Sequence, residues 1–166
     1  MTMSGVGSDL LGRLLDEHAA ALVLYARQWC CAPEDVVQEA FLKLATQRTA
    51  PHHPVAWLYR VVRNGALSVQ RAARRQQHHE TVAAGRTPAW FVPAEGVGLD
   101  AATATAALGR LPPEQREVIV AHLWGGLTFE QVAELVGVSS STAHRWYLAG
   151  LDDLRERLGV TCQNQS

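Results

Sequence analysis

The chain lacks any apolar run approaching the roughly 18–20 residues of a membrane span, because Arg13, Arg27 and neighbouring acids interrupt its N-terminal helix. It also lacks a secretory leader, since Asp9 falls where a continuous apolar segment is needed. A soluble, cytoplasmic protein without membrane attachment is therefore expected. Cysteine is scarce: Cys30, Cys31 and Cys162 form an odd set without a CxxC spacing, which argues for reduced, structural thiols rather than a disulfide framework. The paired histidines His52, His53, His78 and His79 do not have the spaced ligand pattern of a zinc site, so neither metal nor cofactor is expected. Also missing are a glycine-rich phosphate loop, paired carboxylates in an apolar setting and a nucleophile motif. His18 and His122 sit among apolar residues and read as core. These absences argue against an enzyme and against a small-molecule substrate.

What is present suits a folded protein: 166 residues, 48% apolar and 19% charged, enough for one large domain or two small ones of roughly 60–80 residues. The formal net charge of -1 conceals a strong asymmetry. Residues 1–39 carry two basic and six acidic side chains, whereas 40–79 carry Lys43, Arg48, Arg60, Arg63, Arg71, Arg74 and Arg75 and no acid. Such a cationic block points to an anionic partner.

Helical periodicity dominates, and no segment alternates as a strand does. The first helix is expected from near Asp9, capped by Ser8, to about Trp29, burying Leu11, Leu14, Leu15, Leu22, Tyr25, Ala26 and Trp29. A second starts near Glu34 and reaches about Gln47. After the loop Thr49–His53, Pro54 opens a third that runs to roughly Gln77. Gly85, Pro88, Pro93, Gly96 and Gly98 then break all periodicity, marking residues 81–98 as a flexible linker. Trp90 and Phe91 within it read as docking on a neighbouring domain. Helical pattern resumes near Leu99 and continues to Leu158, broken at Leu111-Pro112-Pro113, Gly125-Gly126 and Gly137. The expected fold class is all-α: a helical domain over 1–80, the linker, a second over 99–160, and a tail over 161–166.

Leu127–Leu148 carries the most specific pattern. Thr128 with Gln131 three residues on forms a capping box, and Leu127 with Val132 forms a hydrophobic staple. Gly137 suits a left-handed turn, Val138 fills the space beneath it, and Ser139 caps a second helix with Ala143 and Trp146 inward. This is the pattern of a helix-turn-helix, whose second helix enters the DNA major groove. Ser140, Ser141, Thr142, His144 and Arg145 point outward, the hydroxyls suiting phosphates and His144 and Arg145 suiting base edges. A protein-binding hairpin is the competing reading.

On the third helix, Leu58, Val61, Val62, Gly65 and Val69 fall on one side of the wheel and are expected to be buried. Trp57, Arg60, Asn64, Ser68, Arg71 and Arg75 fall on the other, widened by Arg63 and Arg74. Guanidinium groups interleaved with an aromatic ring suit a phosphate backbone and unpaired bases; a solvated arginine face is the alternative. On the second helix Val37, Ala40, Phe41 and Leu44 face inward. Asp35, Gln38, Glu39 and Leu42 share the outward face, either a small protein-docking surface or an ordinary solvated one.

These segments resemble a known family. Asp35–Leu44 is similar to the core-polymerase-binding segment in region two of bacterial RNA polymerase sigma factors, and Pro54–Asn64 to the following segment that engages the -10 element. Leu111–Val118 leading to Leu127–Ala133 resembles region four, which reads the -35 element. The two halves occur in family order around a short linker without a third domain, as in the extracytoplasmic-function (ECF) group, and no appended module is expected after residue 158. The resemblance implies that Asp35, Gln38, Glu39 and Leu42 bind polymerase core. It implies that Thr49–His53 helps capture a flipped -10 base, with Trp57, Arg60 and Asn64 on the melted strand; Arg63, Arg71, Arg74 and Arg75 of the cationic stripe are expected to join them in binding the -10 DNA. Ser140, Ser141, Thr142, His144 and Arg145 would meet the -35 groove, and the linker would lie near the RNA exit path. RNA polymerase core and promoter DNA are the implied partners, with an anti-sigma protein as a further candidate. One departure stands out: Ala149-Gly150-Leu151-Asp152-Asp153 occupies a stretch that is usually basic. A helix-turn-helix regulator acting without polymerase is the alternative, but it leaves the Asp35–Leu44 face unassigned.

Overall fold

The computed structural model describes residues 6–79 and 99–159, with side chains described over 6–78 and 103–159. Trp90, Phe91, Cys162, the linker and the tail lie outside the described residues. Every described element is helical.

The N-terminal domain is a three-helix unit of α1 (Ser8–Ala26), α2 (Pro33–Ala45) and α3 (Pro54–His79). α1 begins one residue earlier than the sequence suggests. Ser8 lies inside the helix instead of capping it, because the first intrahelical bond already runs from the Leu11 amide to the Gly7 carbonyl (3.0 Å). It ends at Ala26, and Gln28 and Trp29 continue in a tighter turn whose amides bond to Tyr25 and Ala26 three residues back. Leu15, expected in the buried stripe, is exposed among the described residues. In α2, Pro33 occupies the first turn, where its missing N–H costs nothing. The helix stops at Ala45, where the Thr46 and Gln47 side chains both bond to the Lys43 carbonyl and close the last turn.

α3 requires the larger correction. Its buried residues are Leu58, Tyr59, Val62 and Ala66, while Val61 and Gly65 are half-buried and Val69 is exposed. The buried stripe is thus rotated around the helix toward Tyr59. The cause is a second packing partner: besides α1 and α2, α3 lies against the C-terminal domain.

The C-terminal domain comprises α4 (Leu99–Gly109), α5 (Pro113–Ile119), a π-helical turn (Val120–Trp124), α6 (Phe129–Val136) and α7 (Ser140–Leu158). The π turn, which the sequence pattern did not show, is closed by the Gly125 amide on the Val120 carbonyl five residues back (3.2 Å). Leu127, Val132, Ala133 and Ala143 are buried between α6 and α7. A second small cluster, Leu108, Leu111 and Ile119, is covered by Tyr147 and Leu154.

The two domains are in contact. One apolar cluster runs from Leu22, Tyr25 and Tyr59 into Val118, Val120, Ala121 and Leu127. Gly125 lies close against Tyr59: a Cβ there would lie 2.7 Å from the Tyr59 ring and hydroxyl. Among the described residues no helix is long and apolar enough to cross a membrane, and no group of three or more His, Cys, Asp or Glu is arranged to hold a metal ion.

Candidate nucleic-acid interface

The hairpin α6–α7 forms through the contacts its sequence specifies. The Gln131 amide donates to Thr128 Oγ1 (3.2 Å), and the Thr128 amide donates to Gln131 Oε1 (3.0 Å), completing the capping box. Gly137 takes φ 78°, the left-handed conformation that turns the chain, and Ser139 Oγ accepts the Thr142 amide (3.2 Å) to start α7. An aromatic group then fixes α7 against the rest of the domain. His122 stacks on Phe129 (4.2 Å), and Tyr147 and His144 each meet Phe129 edge-on. The His122 Nδ1 is also 2.7 Å from the Leu127 carbonyl, tying the π turn to the entrance of α6.

On the outer side of α7, Ser140, Ser141, His144 and Arg145 are exposed, with Leu148 beside them. Thr142 is half-buried, and its hydroxyl accepts a hydrogen bond from Ser139 Oγ (2.9 Å), so it is partly committed to the cap. Arg145 takes part in no ion pair among the described residues. Asp152 and Asp153 are each bonded by an arginine one turn further on, Arg155 at 3.1 Å and Arg157 at 2.7 Å. The two carboxylates that follow the outward face are therefore neutralised within α7 itself.

On α3, Arg60, Asn64, Arg71, Arg74 and Arg75 are exposed, and Trp57 is half-buried against the domain core. Thr49, Ala50, His52 and His53 stand exposed beside them at the start of the helix. On α2, Asp35, Gln38, Glu39 and Leu42 share an exposed face, above the buried Val36, Val37, Ala40, Phe41 and Leu44. Glu39 pairs with Lys43 (2.8 Å) along that face.

Arg63 stands apart. Its Nε donates to Glu117 Oε1 in the C-terminal domain (2.6 Å), and its guanidinium lies 6.0 Å from the Trp29 ring centroid. Tyr25 Oη donates to the same Glu117 oxygen (2.7 Å). Burial alone would lower the Arg63 pKa, but the Glu117 bond and charge outweigh it and raise it. Burial, followed by the Glu117 charge, pushes the Tyr25 phenol well above its ordinary value, so Tyr25 stays protonated and donates. Sequence reasoning missed Glu117 altogether and saw Tyr25 only as core. No periodic or motif signal links positions 54 and 92 residues apart. Elsewhere, burial raises the Cys30 thiol pKa, and its Sγ bonds to the Ala26 carbonyl, as a structural thiol does.

Comparison with known proteins matches both halves. Residues 14–77 match the family model for sigma-70 region 2, and residues 102–154 the one for sigma-70 region 4. The chain is 31% identical over 159 residues to the RNA polymerase sigma factor CarQ of Myxococcus xanthus, covering 91% of this chain and 88% of CarQ. It is 34% identical over 145 residues to the ECF RNA polymerase sigma factor SigJ of Mycobacterium tuberculosis, covering 78% of this chain but only 42% of SigJ. Among solved structures, it resembles the sigma factor RpoE in complex with the anti-sigma factor NepR from Bartonella quintana. That likeness has a TM-score of 0.70 at 25% identity, over 93% of this chain and 99% of that one. CnrH in complex with the cytosolic domain of CnrY shares the fold, with a TM-score of 0.57 at 22% identity, over 93% of this chain and 90% of that one. With both regions in order and a likeness to CarQ over most of either chain, the chain belongs to the RNA polymerase sigma factor family, in its ECF group, and is a transcription initiation factor.

Proposed function

We propose that this chain binds RNA polymerase core through the α2 face of Asp35, Gln38, Glu39 and Leu42 and directs it to particular promoters. In this reading Trp57, Arg60, Arg63, Asn64, Arg71, Arg74 and Arg75 of α3 engage and melt the -10 element. Ser140, Ser141, Thr142, His144 and Arg145 of α7 meet the -35 element. The observation that carries the reading is the pairing on one domain of a protein-docking face with a cationic face. Leu42 is 60% exposed among polar neighbours on α2, while α3 presents Arg60, Arg71, Arg74 and Arg75 to solvent. A regulator that only binds DNA has no use for the first of these. Such a function places the protein in the cytoplasm and requires neither cofactor nor small-molecule substrate. Because the similar Bartonella protein was solved with an anti-sigma factor, an anti-sigma protein is a candidate partner for this chain too. The domain limits adopted are 1–80, 81–98 and 99–160.

The test is association of the purified chain with core polymerase by co-sedimentation. A stoichiometric complex that withstands moderate salt is expected. Retention of duplex DNA binding with no association to core would favour the stand-alone regulator.

A further inference from the structure

Arg63 is oriented away from the exposed arginines of α3, and the group that holds it belongs to the other domain. Glu117 is a buried charged residue of α5, and its Oε1 accepts hydrogen bonds from Arg63 and Tyr25 of the N-terminal domain, with the charge of neighbouring Arg116 also acting on it. A carboxylate buried in this way loses two donors when the domains part, so its environment depends on their staying together.

The rest of the interface is less well satisfied. Tyr59 Oη is buried beside Gly125 without a hydrogen-bond partner. The Gln28 side-chain nitrogen is likewise buried and unpartnered, although its Oε1 accepts a bond from Arg116 of α5 (3.3 Å). Unpaired buried polar groups oppose the contact, and both would regain water on separation. One charged bond network holding a surface that is otherwise imperfectly paired has the character of a reversible contact rather than a permanent core.

Function requires that the contact open. The -10 and -35 elements are centred roughly 25 base pairs apart, on the order of 80 Å of duplex at 3.4 Å per pair. Two small domains within hydrogen-bonding distance cannot occupy both. While its Nε is donated to Glu117, the Arg63 charge is already matched by a carboxylate and its guanidinium is turned into the interface, so less of it is left for a phosphate.

We propose that Glu117 is an interdomain latch: in the free chain it sequesters Arg63, keeps the two domains closed, and withholds the N-terminal domain from single-stranded DNA until they separate. This rests on the reading of α3 as the -10-binding face. The closed state is self-inhibited.

Two conservative variants test it from opposite sides. Glu117→Gln keeps the shape and removes the charge; Tyr25→Phe removes a latch donor and leaves every arginine in place. Either is informative if the other fails to fold, which circular dichroism reveals. The full chains are compared by small-angle X-ray scattering. Their affinity for a short fluorescein-labelled single-stranded DNA of mixed sequence is then measured by anisotropy. Both variants should expand. A chain closed about nine-tenths of the time should gain roughly tenfold in affinity once freed. Adding Arg63→Ala to Glu117→Gln should leave the chain expanded and reduce the dependence of log affinity on log salt by about one contact. Unchanged scattering in both variants overturns the latch and leaves the promoter reading intact. Expansion without a gain in affinity overturns the inhibition, and a salt dependence indifferent to Arg63→Ala overturns Arg63 as the withheld group. Absence of DNA binding by every variant, open or closed, overturns the -10 reading and the proposal with it.

Discussion

Leu42 stands exposed between Phe41 and Leu44, which are 5% and 0% exposed, so one step along α2 leads from a core position to the proposed docking position. Leu42→Arg or Asp35→Arg should therefore weaken core binding about tenfold or more without altering the circular dichroism spectrum, because the buried stripe is untouched. Competition against an unrelated sigma factor for core measures this, and unchanged affinity in both variants would remove the face from the interface. Arg145 has the same standing on α7: exposed, without an ion pair among the described residues, and the only arginine or lysine between Ser140 and Leu148. Arg145→Ala should cost about 1–3 kcal/mol at the preferred -35 sequence and relax the choice of base there. Ser141→Ala should weaken all sequences about equally, and selection from a randomised -35 pool separates the two. At this scale the sequence was most readable where the rule is local. Thr128, Gln131, Gly137 and Ser139 each act within four residues, and all four take the expected cap or turn geometry. Arg63 was not readable in this way, because its partner lies in another domain.

Helix α6 and its turn show what local specification contributes to an element. At Gly137 a Cβ would meet nothing within 4 Å, so the cost of Gly137→Ala is the backbone strain at φ 78° alone. It should lower stability by about 1–2 kcal/mol in urea titration, and the displaced α7 should lose -35 binding by more than that figure alone explains. Helix α3 shows the opposite case. Its periodicity correctly separated an apolar side from an arginine side, yet the buried centre lies nearer Tyr59 than the wheel alone indicated. A hydrophobic wheel averages over all partners of a helix, and here one partner is a domain distant in sequence. The arginines other than Arg63 remain exposed, and Trp57 is half-buried at the helix start. Trp57→Ala should thus reduce strand opening more than initial promoter recruitment, since stacking on an unpaired base is worth roughly 1–3 kcal/mol and duplex contact does not use it. Permanganate reactivity across the -10 region reports this, and normal opening in the variant would contradict it. The π turn at Val120–Trp124 was invisible in the sequence, because it depends on one extra residue within an otherwise helical pattern.

For the molecule as a whole, two distinct motifs in family order were legible as a sigma factor, whereas the block of seven cations without an acid supports the proposed nucleic-acid contact without locating it. The packing of one domain on the other was not legible, since it depends on contacts between positions far apart in the chain. The charge distribution also predicts unequal salt sensitivity. Single-stranded DNA binding through α3 should weaken with a slope near -0.7 per phosphate neutralised, summed over several arginines, whereas duplex binding through α7, led by Arg145, should be weak and shallow in slope. Equal slopes for the two substrates, by anisotropy across a salt series, would contradict that division. Promoter choice conferred on polymerase by this chain can be read out by transcription in vitro from a library of randomised upstream sequences, using purified core with and without the chain. Transcripts should appear only when both are present and start at a fixed distance from a shared two-part motif; identical transcripts with and without the chain would rule out a role in promoter choice.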